Sequence, residues 1–195
     1  ELELAVVRNL IETKLLDTAR HRIRELERED VIRDNAYLSA KLQLLKAYMY
    51  QYQSRWDRTE RVLQKVLRFT RETSVDPKAN IEAQAYYLLS RVTFYRDEAY
   101  KKAIEYQDKA LELLDPHGDQ AHLKGYLHYA KSVCYYHLEA YARAFEYSRK
   151  ARELSRELND MRTVALAYAI EGAVLKRQKM YDQAIQLYKR ALDMT

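Results

Sequence analysis

The chain is poor in the residues that break regular structure. Three glycines and two prolines among 195 residues fall far below the roughly 12% combined share of an average chain, which excludes a fold built on tight turns and hairpins. Alternating β-branched runs are missing as well, and the good helix formers Leu, Ala, Glu, Lys and Arg dominate. The single cysteine, Cys134, permits no internal disulfide and lies in the apolar stretch 132–136, as expected in a reducing compartment. No apolar run approaches the ~18 to 20 residues of a membrane span, and no signal sequence precedes the first helical pattern. The expected location is therefore cytoplasmic, with no membrane contact. The chain opens without a methionine, directly in a helical pattern, and reads as a segment excised from a longer protein.

Charge of one sign is also lacking. The 34 basic and 29 acidic residues give a formal net charge of +5, and because both signs are mixed along every helix they describe solvated faces, with no nucleic-acid contact expected. Motifs of catalysis are absent: there is no nucleophile elbow, no glycine-rich phosphate loop and no HExxH. His117, His122, His128 and His137 cluster in sequence, but their spacing matches no zinc motif and cysteine support is missing. Neither an enzyme, a metal nor a cofactor is expected.

What the chain does contain is a five-fold internal repeat. A bulky residue is followed three positions later by a small one at Leu16/Ala19, Trp56/Thr59, Tyr100/Ala103, Tyr141/Ala144 and Tyr181/Ala184, with the small residue recurring at intervals of 40, 44, 41 and 40 residues. Such self-similarity marks one supersecondary unit stacked on copies of itself. Apolar periodicity against breakers predicts ten helices in five pairs: 2–13 and 16–29, 35–53 and 55–73, 78–96 and 100–114, 119–138 and 141–158, 161–178 and 181–194. The repeat units run over about 1–33, 34–76, 77–117, 118–158 and 159–195, read as a single repeat domain without a polar linker. Turn chemistry between pairs lies at Arg33–Asn35, Ser74–Pro77, Asp115–Gly118 and Asn159–Asp160. Asn35, Asp160 and Asp76 followed by Pro77 are suited to cap helix N-termini.

These residues resemble the tetratricopeptide repeat (TPR), whose first helix carries a bulky and a small residue and whose second carries an alanine, an aromatic and an alanine. Tyr168, Gly172, Ala184, Tyr188 and Ala191 fill those positions in the last unit. Ser132, Tyr135, Ala144 and Ala151 trace them one unit earlier, and Ser90, Phe94, Ala103 and Ala110 one before that. The frame weakens through Ala47, Tyr50, Thr59 and Val66 to Val7, Leu10, Ala19 and Leu26. Two departures stand out: the leucine expected before the small first-helix residue is replaced by Lys46, Lys131 and Glu171, and the period is near 40 residues. The resemblance implies an all-α, right-handed superhelical solenoid of five antiparallel helix pairs. Repeats of this length are similar to the regulatory domains of bacterial transcription regulators and Gram-positive peptide sensors, which implies a ligand-sensing part of a larger regulator.

In the tetratricopeptide family the first helices line a concave groove. Projected onto this chain, the groove residues are Arg8, Lys41, Tyr48, Gln51, Tyr52, Tyr87, Arg91, Tyr95, Tyr126, Tyr129, Tyr136, His137, Lys176 and Arg177. Tyrosine supplies contact area with few rotatable bonds, and arginine can hold a carboxylate bidentately. The set therefore suits a peptide or protein with acidic groups or a free C-terminus. Tyrosines at helical spacing serve equally well as packing wedges between units. The lysine and asparagine clamp of chaperone-binding relatives is not matched, because Asn35, Asn80 and Asn159 fall at connectors. The alternative to a sensor is a non-switching scaffold or a homodimer joined through repeats or through the apolar ends, where Leu2, Leu4 and Val6 lie on one side and Ile185, Leu187 and Leu192 on the other.

Overall fold

The computed structural model describes residues 1–75, 77–114 and 120–194. The Asp76 cap, the Asp115–Gly118 connector and the turn position of His117 lie outside the described residues. Among the described residues there are eleven α-helices and no strand. They are α1 (Leu2–Glu12), α2 (Leu16–Leu26), α3 (Asp30–Arg33), α4 (Ala36–Tyr52), α5 (Trp56–Glu72), α6 (Lys78–Tyr95), α7 (Tyr100–Leu113), α8 (Ala121–His137), α9 (Tyr141–Glu157), α10 (Met161–Arg177) and α11 (Tyr181–Leu192). The ten expected helices are all present. The eleventh, α3, replaces part of an expected connector and tucks Ile32 into the core built by Leu4, Val7, Ile11, Ile23, Leu26, Leu42, Leu45 and Met49. The contacts group into two compact units, Glu1–Glu98 and Ala99–Thr195.

Each second helix begins on the bulky residue of the repeat mark, at Leu16, Trp56, Tyr100, Tyr141 or Tyr181. What stops the preceding helix is a residue with positive φ: Lys14, Ser54, Glu98, Glu139 or Lys179, with Asn159 doing the same between α9 and α10. After α1 the Lys14 N–H donates to the Ile11 carbonyl and the Leu15 N–H to the Leu10 carbonyl. The same two bonds recur at Ser54/Arg55, Glu139/Ala140, Asn159/Asp160 and Lys179/Met180. This is the Schellman arrangement, which satisfies the carbonyls left over at a helix end and ordinarily uses glycine. Here it is made without any. At two helix entrances the expected caps are in place, since Asn35 accepts from the Leu38 N–H and Asp160 from the Thr163 N–H. Pro77 sits one residue earlier than expected, at the N-cap of α6 rather than inside its first turn.

The small residues of the mark are packing positions. Ala19, Thr59, Ala103, Ala144 and Ala184 are each at most 2% exposed. A side-chain carbon added at Gly172 would lie 2.9 Å from the Tyr188 ring, so the small first-helix residue exists because the second-helix aromatic rests on it. The three charged departures turn out to be bonds between repeats. Lys46 on α4 pairs with Glu27 at the end of α2 at 2.6 Å, Lys131 on α8 pairs with Asp108 on α7, and Glu171 on α10 pairs with Arg152 on α9 at 3.3 Å. In each case a first helix reaches the second helix of the preceding repeat from the same frame position.

Candidate binding face

Two first helices of unit 1 that carry expected groove residues, α4 and α6, pack against one another, and Arg8 on α1 is exposed. On α4 the spacing 37, 41, 48, 52 puts Tyr37, Lys41, Tyr48 and Tyr52 along one side of the helix, and on α6 the spacing 87, 91, 95 does the same for Tyr87, Arg91 and Tyr95. Tyr48 and Tyr52 meet edge to face at 5.1 Å and share a hydrogen bond of 3.3 Å between their hydroxyls. Burial, together with the Tyr52 hydroxyl, pushes the Tyr48 phenol far above its ordinary range, while the charge of Arg91 on α6 works in the opposite direction. Tyr48 is therefore a neutral hydroxyl at any working pH, half-buried beside a cation.

Arg91 lies 5.9 Å from the ring centres of both Tyr87 and Tyr95, and its Nη1 donates to the Tyr87 hydroxyl at 3.4 Å. Tyr95 is 59% exposed, yet one face is covered by Trp56, whose ring stacks on it at 5.8 Å. A guanidinium flanked by rings keeps its charge but loses rotamer freedom, which favours planar recognition of a carboxylate. Lys41 is held over the Tyr37 ring at 5.1 Å and lies 3.8 Å from Glu1. Carboxylates thus border this face, and the purely basic and aromatic set expected from sequence is incomplete without Glu1, Tyr37 and Trp56.

Gln51 does not belong to the face. It is 4% exposed, and its Nε2 donates to the Leu88 carbonyl at 2.8 Å, so it ties α4 to α6 from inside.

In unit 2 the expected residues divide the same way. Arg177 at the end of α10 donates from Nε to the Tyr136 hydroxyl of α8 at 3.0 Å, linking two first helices, and Lys176 is exposed beside it. Tyr126 and Tyr129 meet edge to face at 5.4 Å. His137 stacks on Tyr100 at 4.8 Å, which makes it the counterpart of Tyr95 on Trp56, and it remains exposed. The bulky residue of the repeat mark therefore contacts the last turn of the next repeat's first helix in both units.

Of the remaining expected histidines, His122 sits 4.0 Å from Asp160 and His128 stacks on Tyr147. Among the described residues no group of three or more His, Cys, Asp or Glu side chains is placed to hold a metal ion. No helix among them is long and apolar enough to cross a membrane. Cys134 is buried, its Sγ accepts from Gln107 Nε2 at 3.5 Å, and burial raises its thiol to about 11, so it is held as the unreactive thiol.

No protein-family model matches the chain, and no curated protein is similar to it in sequence. Among solved structures it is similar to BtubC (BKLC) from P. vanneervenii, with a TM-score of 0.76 and 20% identity over 98% of this chain and 78% of that one. It is also similar to MamA, with a TM-score of 0.61 and 17% identity over 95% of this chain and 92% of that one. A second MamA structure gives a TM-score of 0.58 and 16% identity over 98% of this chain and 91% of that one. At such identities the likeness establishes the fold, an all-α TPR-like helical repeat.

Proposed function

We propose that this chain is a protein- or peptide-binding repeat domain, and that the face formed by Tyr48, Tyr52, Tyr87, Arg91 and Tyr95 is its recognition surface in unit 1. The observation that carries the reading is the placement of Arg91 between two tyrosine rings, beside a neutral Tyr48–Tyr52 pair on the adjacent helix. Rigid aromatics with one oriented guanidinium suit a ligand that presents a carboxylate, either an acidic side chain or a free C-terminus. Tyr136 and Arg177 supply a smaller site of the same chemistry in unit 2. The test is an array of peptides ending in free or amidated C-termini, probed with the wild-type chain and with Arg91→Ala. Binders selected by the wild type are expected to lose at least about tenfold in affinity in the variant, the range of a charge-assisted contact. Retention of full affinity overturns the reading.

The wider role is the ligand-sensing part of a bacterial regulator, most simply one of transcription. Its support is the resemblance of the ~40-residue repeats to such domains. Sequencing upstream of this segment in its gene is the test, with a helix-turn-helix expected within the preceding ~70 residues. A second reading, a scaffold that self-associates through its end helices, is favoured by the exposure of Leu2 and Val6 on α1 and of Ile185 and Leu192 on α11. Leu4, expected at that end, is buried instead. Sedimentation of the full-length protein as a monomer overturns the second reading.

A further inference from the structure

The outer side of α5 is a cationic stripe, and we propose that it docks an acidic polypeptide segment, separately from the first-helix face. Thr59, Leu63, Val66, Leu67 and Thr70 bury the inner side of α5. Arg58, Arg61, Lys65 and Arg68 follow at i, i+3, i+7 and i+10 on the opposite side, and all four are exposed. At 1.5 Å per residue they span about 15 Å along the helix. Among the described residues none of the four is ion-paired, and Arg61 donates from Nε only to the Asp57 carbonyl at 3.3 Å.

The acids that could neutralise this side are engaged or terminal. Asp57 and Glu60 are both taken by Arg96, the residue that follows α6, at 3.0 and 2.8 Å, and Glu72 ends the helix. The equivalent second helix α9, also 17 residues long, behaves differently. Its exposed Arg149 and Lys150 are met by Glu153 at 3.7 Å and Glu146 at 2.6 Å, one helical turn away. The outward Arg149 and Lys150 of α9 are thus compensated within their own helix, whereas the four-residue stripe of α5 is not.

The chemistry of the stripe selects among anionic partners. Three of its four charges are arginine, which grips carboxylates and phosphates in planar pairs. Against a membrane surface, α5 carries no exposed large hydrophobic residue to enter the interface. Against a nucleic-acid duplex, the stripe is one helix wide and is bounded by Asp57 at its start and Glu72 at its end, whereas a phosphate backbone would run on past those carboxylates. A short run of Glu or Asp matches its length and width.

The test is fluorescence anisotropy of a labelled deca-glutamate peptide with the full chain at low salt. Saturable binding that weakens as salt rises is expected. The variant Arg58→Gln/Arg61→Gln/Lys65→Gln/Arg68→Gln should lose about tenfold or more, four exposed contacts each changing affinity about twofold. Arg149→Gln/Lys150→Gln should stay within about twofold. The proposal is overturned if the peptide does not bind, if the α9 variant loses as much as the α5 variant, or if binding is lost with Arg91→Ala instead. It is also overturned if a 20-base-pair duplex or phosphatidylserine vesicles bind more tightly than the peptide and lose that binding in the α5 variant.

Discussion

The two units use the same repeat but hold it together differently. Unit 1 packs large aliphatic side chains, Ile11, Ile23, Leu26, Leu42, Met49, Leu63, Ile81 and Leu89 among them, and its buried polar residues Gln51, Thr59, Thr70, Ser90 and Thr93 are all neutral. Unit 2 packs alanines at 103, 110, 144, 151, 165, 167 and 184 and buries the charged Lys131 and Glu171. Large aliphatics fill space on their own. Alanines let helices approach closely but leave little apolar area per contact, so buried polar bonds carry more of the register. The shared frame position shows the trade most directly, because the Lys46–Glu27 pair of unit 1 is about a quarter exposed on each side, whereas the Lys131 side chain is 5% exposed and that of Glu171 3%.

Removing these pairs one at a time should separate the units most strongly. Glu171→Ala leaves Arg152 without its carboxylate in a partly buried site and Ser148 without the acceptor it meets at 3.3 Å, and about 3 kcal/mol of unfolding free energy should be lost. Lys46→Ala should cost about 1 kcal/mol or less. Urea unfolding of each variant measures both, and equal losses would mean that burial of the pair is irrelevant. Replacing both partners, as in Glu171→Leu/Arg152→Leu, should restore most of the loss, because an apolar pair has no desolvation to offset.

Overpacking comes next. Ala144 is fully buried, and Ala144→Leu should cost about 2 kcal/mol by forcing α8 and α9 apart. Thermal unfolding reads the loss. Ala142, exposed on the same helix, should accept leucine with little change.

Unit 2 should also be the acid-sensitive one. His128 is stacked on Tyr147, and burial, reinforced by Lys131, Lys124 and Lys150 against the single opposing Asp108, lowers its imidazole to about 4 from 6.5. The folded pKa lies below the unfolded one, so the unfolded chain binds the extra proton between them. The histidine's contribution is complete above pH 6.5 and is lost as pH falls toward 4. Allowing for its partial exposure, about 1 to 2 kcal/mol should disappear over that window. The difference in urea stability between wild type and His128→Phe, followed from pH 7 to pH 4, isolates it. A difference independent of pH contradicts the assignment.

Much of this was legible in the sequence because repetition makes each unit a check on the others. The bulky and small residues at 100 and 103, or 141 and 144, fixed where second helices begin, and the scarcity of glycine and proline fixed the fold class. The replacement of leucine by Lys46, Lys131 and Glu171 was visible, but its meaning needed three dimensions. The partners Glu27, Asp108 and Arg152 lie 19, 23 and 19 residues earlier, a separation that varies with loop length. Gln51 was misassigned to the face for a related reason. Periodicity places a residue on a side of its helix, but it does not say whether the neighbouring helix already covers it. The four-residue α3 offered too few residues for any period, and the charge stripe on α5 was hidden because Asp57 and Glu60 balance it in sequence while Arg96 removes them in space.

The smallest expected effect asks what the units share. Five three-residue turns, spread over both units, place a residue with a side chain at positive φ, 63° at Lys14, 53° at Ser54, 56° at Glu139, 55° at Asn159 and 64° at Lys179. That conformation costs an ordinary residue about 1 kcal/mol or more, and glycine nearly nothing. The cost is local to the backbone and independent of whether alanines or aliphatics pack the helices beside it. Ser54→Gly in unit 1 and Glu139→Gly in unit 2 should therefore stabilise the chain alike, each by about 0.5 to 1 kcal/mol after glycine's greater freedom in the unfolded state is subtracted. Asn159→Gly should give about half that or less, because asparagine already tolerates the left-handed region. Urea midpoints of the three variants measured side by side decide it. A gain at Glu139 without one at Ser54 would mean that the tighter helix spacing of unit 2 strains its turns, extending the difference between the units from their cores to their backbones.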